Sequence, residues 1–212
     1  MGKSLIEIAK SVIQSEAEAV LLLKDRIDQN FESVCRLLLN CKGKVILIGM
    51  GKSGHIAKKI ASTLASTGTP SFYIHPGEAG HGDLGMINSN DVVMMISYSG
   101  ESDEIISLLP GIKRINTPMI SMTGNINSTI AMKSEFHIDI SVNKEACPNN
   151  LAPTSSTTAT LVIGDAIAVA LMSENCFSSE DFAMSHPSGS LGRRLLTLVS
   201  SIMKSGADIP IV

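Results

Sequence analysis

The chain has 212 residues, 44% of them hydrophobic, enough to bury a substantial core as one domain with a small appendage. A net charge of −3 without any Lys/Arg cluster excludes a nucleic-acid face, and 3% aromatic residues with no Trp exclude a base-stacking platform. Cys35, Cys41, Cys147 and Cys176 are scattered without CxxC spacing, which suits free thiols in a reducing compartment better than disulfides or a structural zinc.

At the N-terminus, Met1–Ile6 has no apolar core of a secretion signal, and Ile6 stands where a myristoylation motif needs Ser or Thr, so a cytoplasmic protein is expected. Residues 4–40 read as helical. Leu5, Ile8, Val12 and Ile13 recur at helical spacing, Val20–Leu23 and Ile27 continue the pattern, and Phe31, Val34, Cys35 and Leu38 suggest a second short helix. This 1–40 segment has apolar surface to place on the core or on a partner subunit.

From residue 44 the pattern alternates. Strands are predicted over 44–49, 71–75, 91–97, 118–122 and 136–140, and helices over 54–67, 102–114, 127–133 and 155–173. Such alternation predicts a parallel sheet covered on both faces, and the fully apolar runs Val45–Ile48 and Val92–Ile96 are what its buried strands need. The apolar stretch Leu161–Met172 is short and contains Asp165, so no membrane span is expected. In open sheets of this kind ligands bind beyond the carboxyl ends of the strands.

The first such end is Gly49-Met-Gly-Lys-Ser-Gly54, a glycine-rich turn into a helix, where backbone N–H groups of Gly51 and Ser53 can approach an anion. It satisfies G-x-G-x-x-G, but the next strand, Ser71–His75, ends without the acidic residue that would hold a ribose. A Walker A loop fails too, because Ile46 stands where its first glycine belongs. A tight turn serving only helix–sheet packing stays open.

The third strand ends in Ser97-Tyr-Ser-Gly-Glu-Ser102, which puts the hydroxyls of Ser97, Ser99 and Ser102 and free backbone donors at a helix start, a cradle for a phosphate dianion. Thr123 at the end of the fourth strand reads as a further wall. A second hydroxyl cluster, Thr154–Thr158, opens the long helix; its excess over one cap suits a polyol or phosphate held by Ser155 and Thr157. Acid–base candidates are Glu104 beside the serine loop, Glu145 in a loop after the fifth strand, and His186 in Ser185-His-Pro-Ser-Gly189. His75 and His81 bracket a glycine-rich loop, whereas His55 and His137 read as structural. No pairing of His and Cys has the spacing of a zinc site, so no metal is expected beyond an adventitious ion.

Taken together and in order, Gly49–Gly54, Thr67-Gly-Thr-Pro70, His75-Pro76, His81-Gly-Asp-Leu-Gly85, Ser97–Ser102, Lys144-Glu-Ala-Cys-Pro148, Leu151–Thr160, Gly164-Asp165 and Ser185–Gly189 resemble the sugar isomerase (SIS) domain of bacterial D-arabinose-5-phosphate isomerases over about residues 40–195. The resemblance implies a five-stranded, flavodoxin-like α/β/α sandwich over residues 41–196, assembled as a homotetramer. It implies cofactor-free interconversion of D-ribulose 5-phosphate and D-arabinose 5-phosphate through an enediol, with the product feeding Kdo synthesis for lipopolysaccharide or capsule. The family's functional positions fall on Lys52, Glu104, Glu145 and His186, and His75 and His81 are expected to line the substrate cleft. On this resemblance Glu145 is the carbon base, His186 opens the ring or shuttles the O1/O2 proton, Lys52 stabilises anionic charge and Glu104 orients a hydroxyl; the two glutamates are exchangeable at this level. His186, distant along the chain, is placed to complete a neighbouring subunit's site. Residues 197–212 resemble the start of a CBS module.

Two other readings stand beside this one. SIS domains also serve as sugar-phosphate sensors in transcription regulators, but residues 1–40 balance Lys3, Lys10, Lys24, Arg26 and Arg36 against six acidic residues, a poor DNA-reading surface. An isomerase of a hexose or heptose phosphate would share the same motifs.

Overall fold

The computed structural model describes residues 4–204; residues 205–212 of the expected C-terminal stub, and Met1–Lys3, lie outside the described residues. Strands β1 (Val45–Gly49), β2 (Ser71–Ile74), β3 (Val92–Ile96), β4 (Met119–Thr123) and β5 (Phe136–Asp139) form one parallel sheet in the order β2-β1-β3-β4-β5. That is the parallel sheet expected from the alternation, in the flavodoxin-like order that the family resemblance implied.

The sheet separates two apolar clusters by simple alternation. Val45, Leu47, Val92, Met94, Ile96, Ile120 and Met122 point to one side, and Ile46, Ile48, Val93, Met95 and Met119 to the other. The Val45–Ile48 side chains are fully buried, each stabilising the fold by about 1.5–3 kcal/mol, so both faces must be covered. The first face carries α2 (Gln29–Leu39), α3 (Gly51–Ser66) and α8 (Ser155–Glu174); the second carries α4 (Pro76–Ala79), α5 (Asp103–Ile106), α6 (Leu109–Ile115) and α7 (Thr129–Lys133).

Helix α1 (Leu5–Leu22) begins with a capping box between Ser4 and Glu7 and packs on α8, where the Thr158 hydroxyl donates to Glu16 (2.8 Å). Asp28 caps α2 by accepting from the N–H groups of Asn30 and Phe31. By length and composition α8 is apolar enough to cross a membrane, more so than its 161–172 stretch suggests. Half of it is buried against the sheet and α3, and its Asp165 pairs with Lys59. Gly164 makes that packing possible, because a Cβ there would lie 2.4 Å from Ile60 of α3. Gly164→Val is expected to cost about 3 kcal/mol by overpacking, read as a lower urea midpoint.

Three local differences from the sequence expectation have physical causes. The 102–114 helix is broken into α5 and α6, since Pro110 in the first turn of α6 has no N–H to continue the ladder from Ile106. The loop after β2 contains α4, started by His75, whose Nδ1 accepts from the Gly77 N–H (3.1 Å), and by Pro76. After α8 comes an unexpected helix, α9 (Ser179–Ser185), with a Ser178–Asp181 capping box, before the short helix α10 (Ser190–Leu196).

Candidate functional site

The order β2-β1-β3 makes a switch point. After β1 the chain turns to α3 on one face, and after β3 to α5 on the other. Gly49 pairs with Ile96 and Ile96 with Met122, so the loops starting at Met50, Ser97 and Gly124 leave the sheet within one residue of a common level.

In the first loop Gly51 has φ +55°, a conformation that favours glycine, although a Cβ there would meet nothing within 4 Å. Gly54 serves packing instead: a Cβ would lie 2.6 Å from the Gly49 carbonyl, which already accepts from the Tyr73 hydroxyl (2.8 Å). Lys52 is exposed and Ser53 half-buried in the first turn of α3, at the positive end of its helix dipole.

The serine loop is braced from within. The Ser97 and Ser102 hydroxyls bond each other (2.8 Å), and the Gly100 N–H donates to the Ser97 hydroxyl (3.1 Å). Gly100 (φ +68°) presses so closely on Ser128 that a Cβ would lie 2.0 Å from its Oγ. Glu101 accepts from the Thr129 N–H (2.7 Å), tying the loop to α7. Ser97 is buried and committed to these bonds, which leaves exposed Ser99 as the outward hydroxyl. Thr123 is fully buried as well; its hydroxyl meets His137 Nε2 (2.9 Å) and donates to the Asn125 carbonyl (2.8 Å). It therefore braces the end of β4, where the sequence suggested a wall against a ligand. His137 keeps the structural part expected of it, and burial lowers its pKa.

Glu145 has the most developed surroundings. Its Oε2 accepts from the Thr154 N–H (2.8 Å), the Thr154 hydroxyl (3.1 Å) and the Ser156 N–H (3.1 Å) at the N-terminus of α8. Burial pulls its pKa up, but the bonds from Ser156 and Thr154 outweigh burial and hold the carboxyl below its ordinary value. The group is thus ionised at neutral pH. The Thr154 hydroxyl also accepts from the Ala146 N–H (2.9 Å), and Asn150 accepts from the Glu145 N–H (2.7 Å), so the loop is clasped on both sides of the carboxylate.

This clasp corrects part of the hydroxyl-cluster expectation. Thr157 bonds back to the Thr154 carbonyl (2.8 Å) and Thr160 to the Ser156 carbonyl (2.7 Å), within the helix. Ser155 is fully buried, and its Oγ has no hydrogen-bond partner among the described residues. Thr154, not singled out from the sequence, is the residue that holds Glu145.

Glu145 borders a cavity of about 180 Å³ together with Tyr98, Lys144, Asn150 and Leu151. Tyr98 brings the serine loop to it: its ring lies over Gly124, and its hydroxyl meets both the N–H (3.2 Å) and carbonyl (3.4 Å) of Val142. Sequence reading passed over Tyr98; its position between two serines was the available signal. Glu104 is exposed in the first turn of α5 beside this loop. His75, the cap of α4 at the end of β2, and His81, just beyond α4, are both exposed. Among the described residues no three His, Cys, Asp or Glu side chains gather to hold a metal ion.

His186 is not brought to this cavity by its own chain. Helix α8 starts beside the Glu145 carboxylate and runs about 30 Å to the opposite, amino end of the sheet. There Asn175 borders a cavity with Val45 and Thr69, and Phe177 covers Gly68. The seven-residue α9 begins at that end. Its C-terminal His186 stacks on Phe182 (centroids 4.1 Å apart), with Nδ1 3.1 Å from the Phe182 carbonyl. A carbonyl only accepts, so Nδ1 carries the proton and Nε2 is left as the acceptor of the neutral ring.

Comparison with known proteins gives a consistent result. Residues 38–170 match the SIS domain family. The chain is 55% identical over 209 residues to the arabinose 5-phosphate isomerase KdsD of Escherichia coli K12, covering 99% of this chain and 64% of that protein. It is 56% identical over 205 residues to KdsD of Pseudomonas aeruginosa PAO1, covering 97% of this chain and 63% of that one. The fold superimposes on the solved structure of E. coli CFT073 c3406 in complex with arabinose 5-phosphate with a TM-score of 0.85, at 44% identity, over 88% of this chain and all of that one. The chain thus spans about 64% of the length of the curated relatives it matches.

Proposed function

From the premise that this chain belongs to the SIS domain family, we propose that it interconverts D-arabinose 5-phosphate and D-ribulose 5-phosphate. The observation that carries the reading is the ionised, clasped Glu145 at the rim of the cavity that Tyr98 joins to the serine loop. The KdsD relatives and the arabinose 5-phosphate complex of c3406 supply the substrate class.

In the proposed reaction the phosphate sits in the crevice between the loops after β1 and β3. Backbone N–H groups at Gly51 and Ser53, the Ser99 hydroxyl and the braced serine loop would hold it, and Lys52 adds positive charge. Glu145 takes the proton from C2 of the open-chain aldose. The electrons move to an enediol, and the proton returns at C1 to give the ketose. A proton must also pass from O2 to O1. His186 of a neighbouring copy, with its Nε2 lone pair outward, is the group we assign to that shuttle or to ring opening, while Glu104 orients a sugar hydroxyl. No cofactor enters this scheme.

The neighbouring copy is part of the same proposal. Leu5, Ile6 and Ile13 of α1 are 85%, 69% and 70% exposed, and Leu195 and Leu196 of α10 are exposed too, apolar surface suited to burial in a homotetramer. We place the protein in the cytoplasm, supplying D-arabinose 5-phosphate for Kdo and lipopolysaccharide.

The test is NMR of the purified chain with D-arabinose 5-phosphate in D₂O. The expected result is D-ribulose 5-phosphate carrying deuterium at C1. Saturable binding without turnover would replace the enzyme by a sugar-phosphate sensor, and preference for a longer sugar phosphate in a substrate panel would reassign the substrate.

A further inference from the structure

Tyr98 does more than border the cavity. It leaves the sheet one residue after Ser97, so its backbone belongs to the phosphate cradle, and the Gly124 N–H donates to its carbonyl (2.8 Å). Its side chain crosses to another segment. The ring rests on Gly124 so tightly that a Cβ there would lie 2.9 Å from Cε2, which fixes the ring's direction. The hydroxyl then pairs with both polar groups of the Val142 backbone, three residues before Glu145.

Other anchors of the two segments are separate. The serine loop is tied to α7 through Glu101 and Thr129, and the Glu145 loop to α8 through Thr154. Neither anchor joins one segment to the other. The Tyr98–Val142 pair does, across 44 residues of sequence.

We infer that Tyr98 is a positioning residue that couples occupancy of the phosphate cradle to the placement of Glu145. The inference rests on the isomerase reading above. Binding energy from a phosphate remote from the reacting carbons raises turnover only if it is transmitted to the catalytic group. The Tyr98 hydroxyl is a direct path from the loop that grips the phosphate to the loop that carries the base. With the hydroxyl gone, the phosphate still binds but no longer sets the carboxylate against C2.

The experiment compares wild type and Tyr98→Phe on D-arabinose 5-phosphate and on D-arabinose, following deuterium incorporation from D₂O. For the phosphorylated sugar, Tyr98→Phe should lower kcat ~10–100-fold with KM changed by less than about threefold, the effect of a base displaced by about an ångström. For D-arabinose, whose reaction draws nothing from the cradle, Tyr98→Phe should slow deuterium exchange by a factor at least about threefold smaller than it slows the phosphorylated sugar. An unchanged kcat overturns the inference, and so does an equal loss on both sugars, which marks a general defect in the site. A variant whose KM alone rises would make Tyr98 a simple binding contact. Wild type inactive on D-arabinose 5-phosphate would instead remove the isomerase reading itself, so the two failures are distinct.

Discussion

Glu145→Gln is expected to abolish deuterium exchange and lower kcat for D-arabinose 5-phosphate by ~10²–10⁴-fold, the usual contribution of one positioned acid–base group. The amide is nearly isosteric, and its oxygen can still accept from Thr154 and Ser156, so the loop should stay clasped and substrate binding should survive. The loss would then report on basicity. Geometry favours this carboxylate over Glu104 as the base. Three donors fix Oε2 of Glu145, whereas Glu104 is exposed. The pH dependence follows from the same bonds. A base works when deprotonated, and the pKa of Glu145 lies below the ordinary carboxylate value, so protonation of Glu145 itself should remove activity only below that value. An NMR titration of the isotope-labelled Glu145 carboxyl checks this: a midpoint above the ordinary value would contradict the clasp. If Glu145→Gln retains most activity while Glu104→Gln loses it, the two carboxylates exchange parts.

What the sequence discloses and what it hides divide along a physical line. The strands were readable because a parallel sheet covered on both faces needs unbroken apolar runs, and Val45–Ile48 and Val92–Ile96 are such runs. Loop positions followed from strand ends. The destination of each hydroxyl did not. Thr154 and Thr157 are the same residue type three positions apart, yet one holds Glu145 and the other turns back into its helix. That difference is set by the nine-residue return of the chain from Glu145 to α8, a tertiary fact with no local signature. Thr123 misled for a related reason: being at the carboxyl end of a strand says nothing about whether a side chain faces the crevice or His137. The α9 helix did carry a signal, the Ser178-x-x-Asp181 capping pattern, although its seven residues hold little apolar periodicity.

The separation of His186 from Glu145 along one chain leads to the second large expected effect. Glu145→Gln and His186→Ala should each be inactive alone, because each removes an acid–base group from every site. When the two are unfolded together in equal amounts and refolded, activity should return. If a site takes Glu145 from one chain and His186 from another, it is intact when the first chain is the His186→Ala variant and the second is the Glu145→Gln variant. Random assembly in a closed symmetric oligomer makes that about a quarter of all sites. If both groups came from one chain, each chain would lack one of them, and mixing would recover nothing. The geometry argues for the first outcome. α8 carries the chain about 30 Å away from Glu145 before α9 begins, and the intervening turn is pinned at the amino end of the sheet by Phe177 over Gly68. His186 is also held ready in isolation, stacked on Phe182 and oriented by its carbonyl, with Gly192 packed against its backbone. A preset ring at a distance from its own cleft is what a donated catalytic group requires, and the mixed oligomer measures whether it is donated.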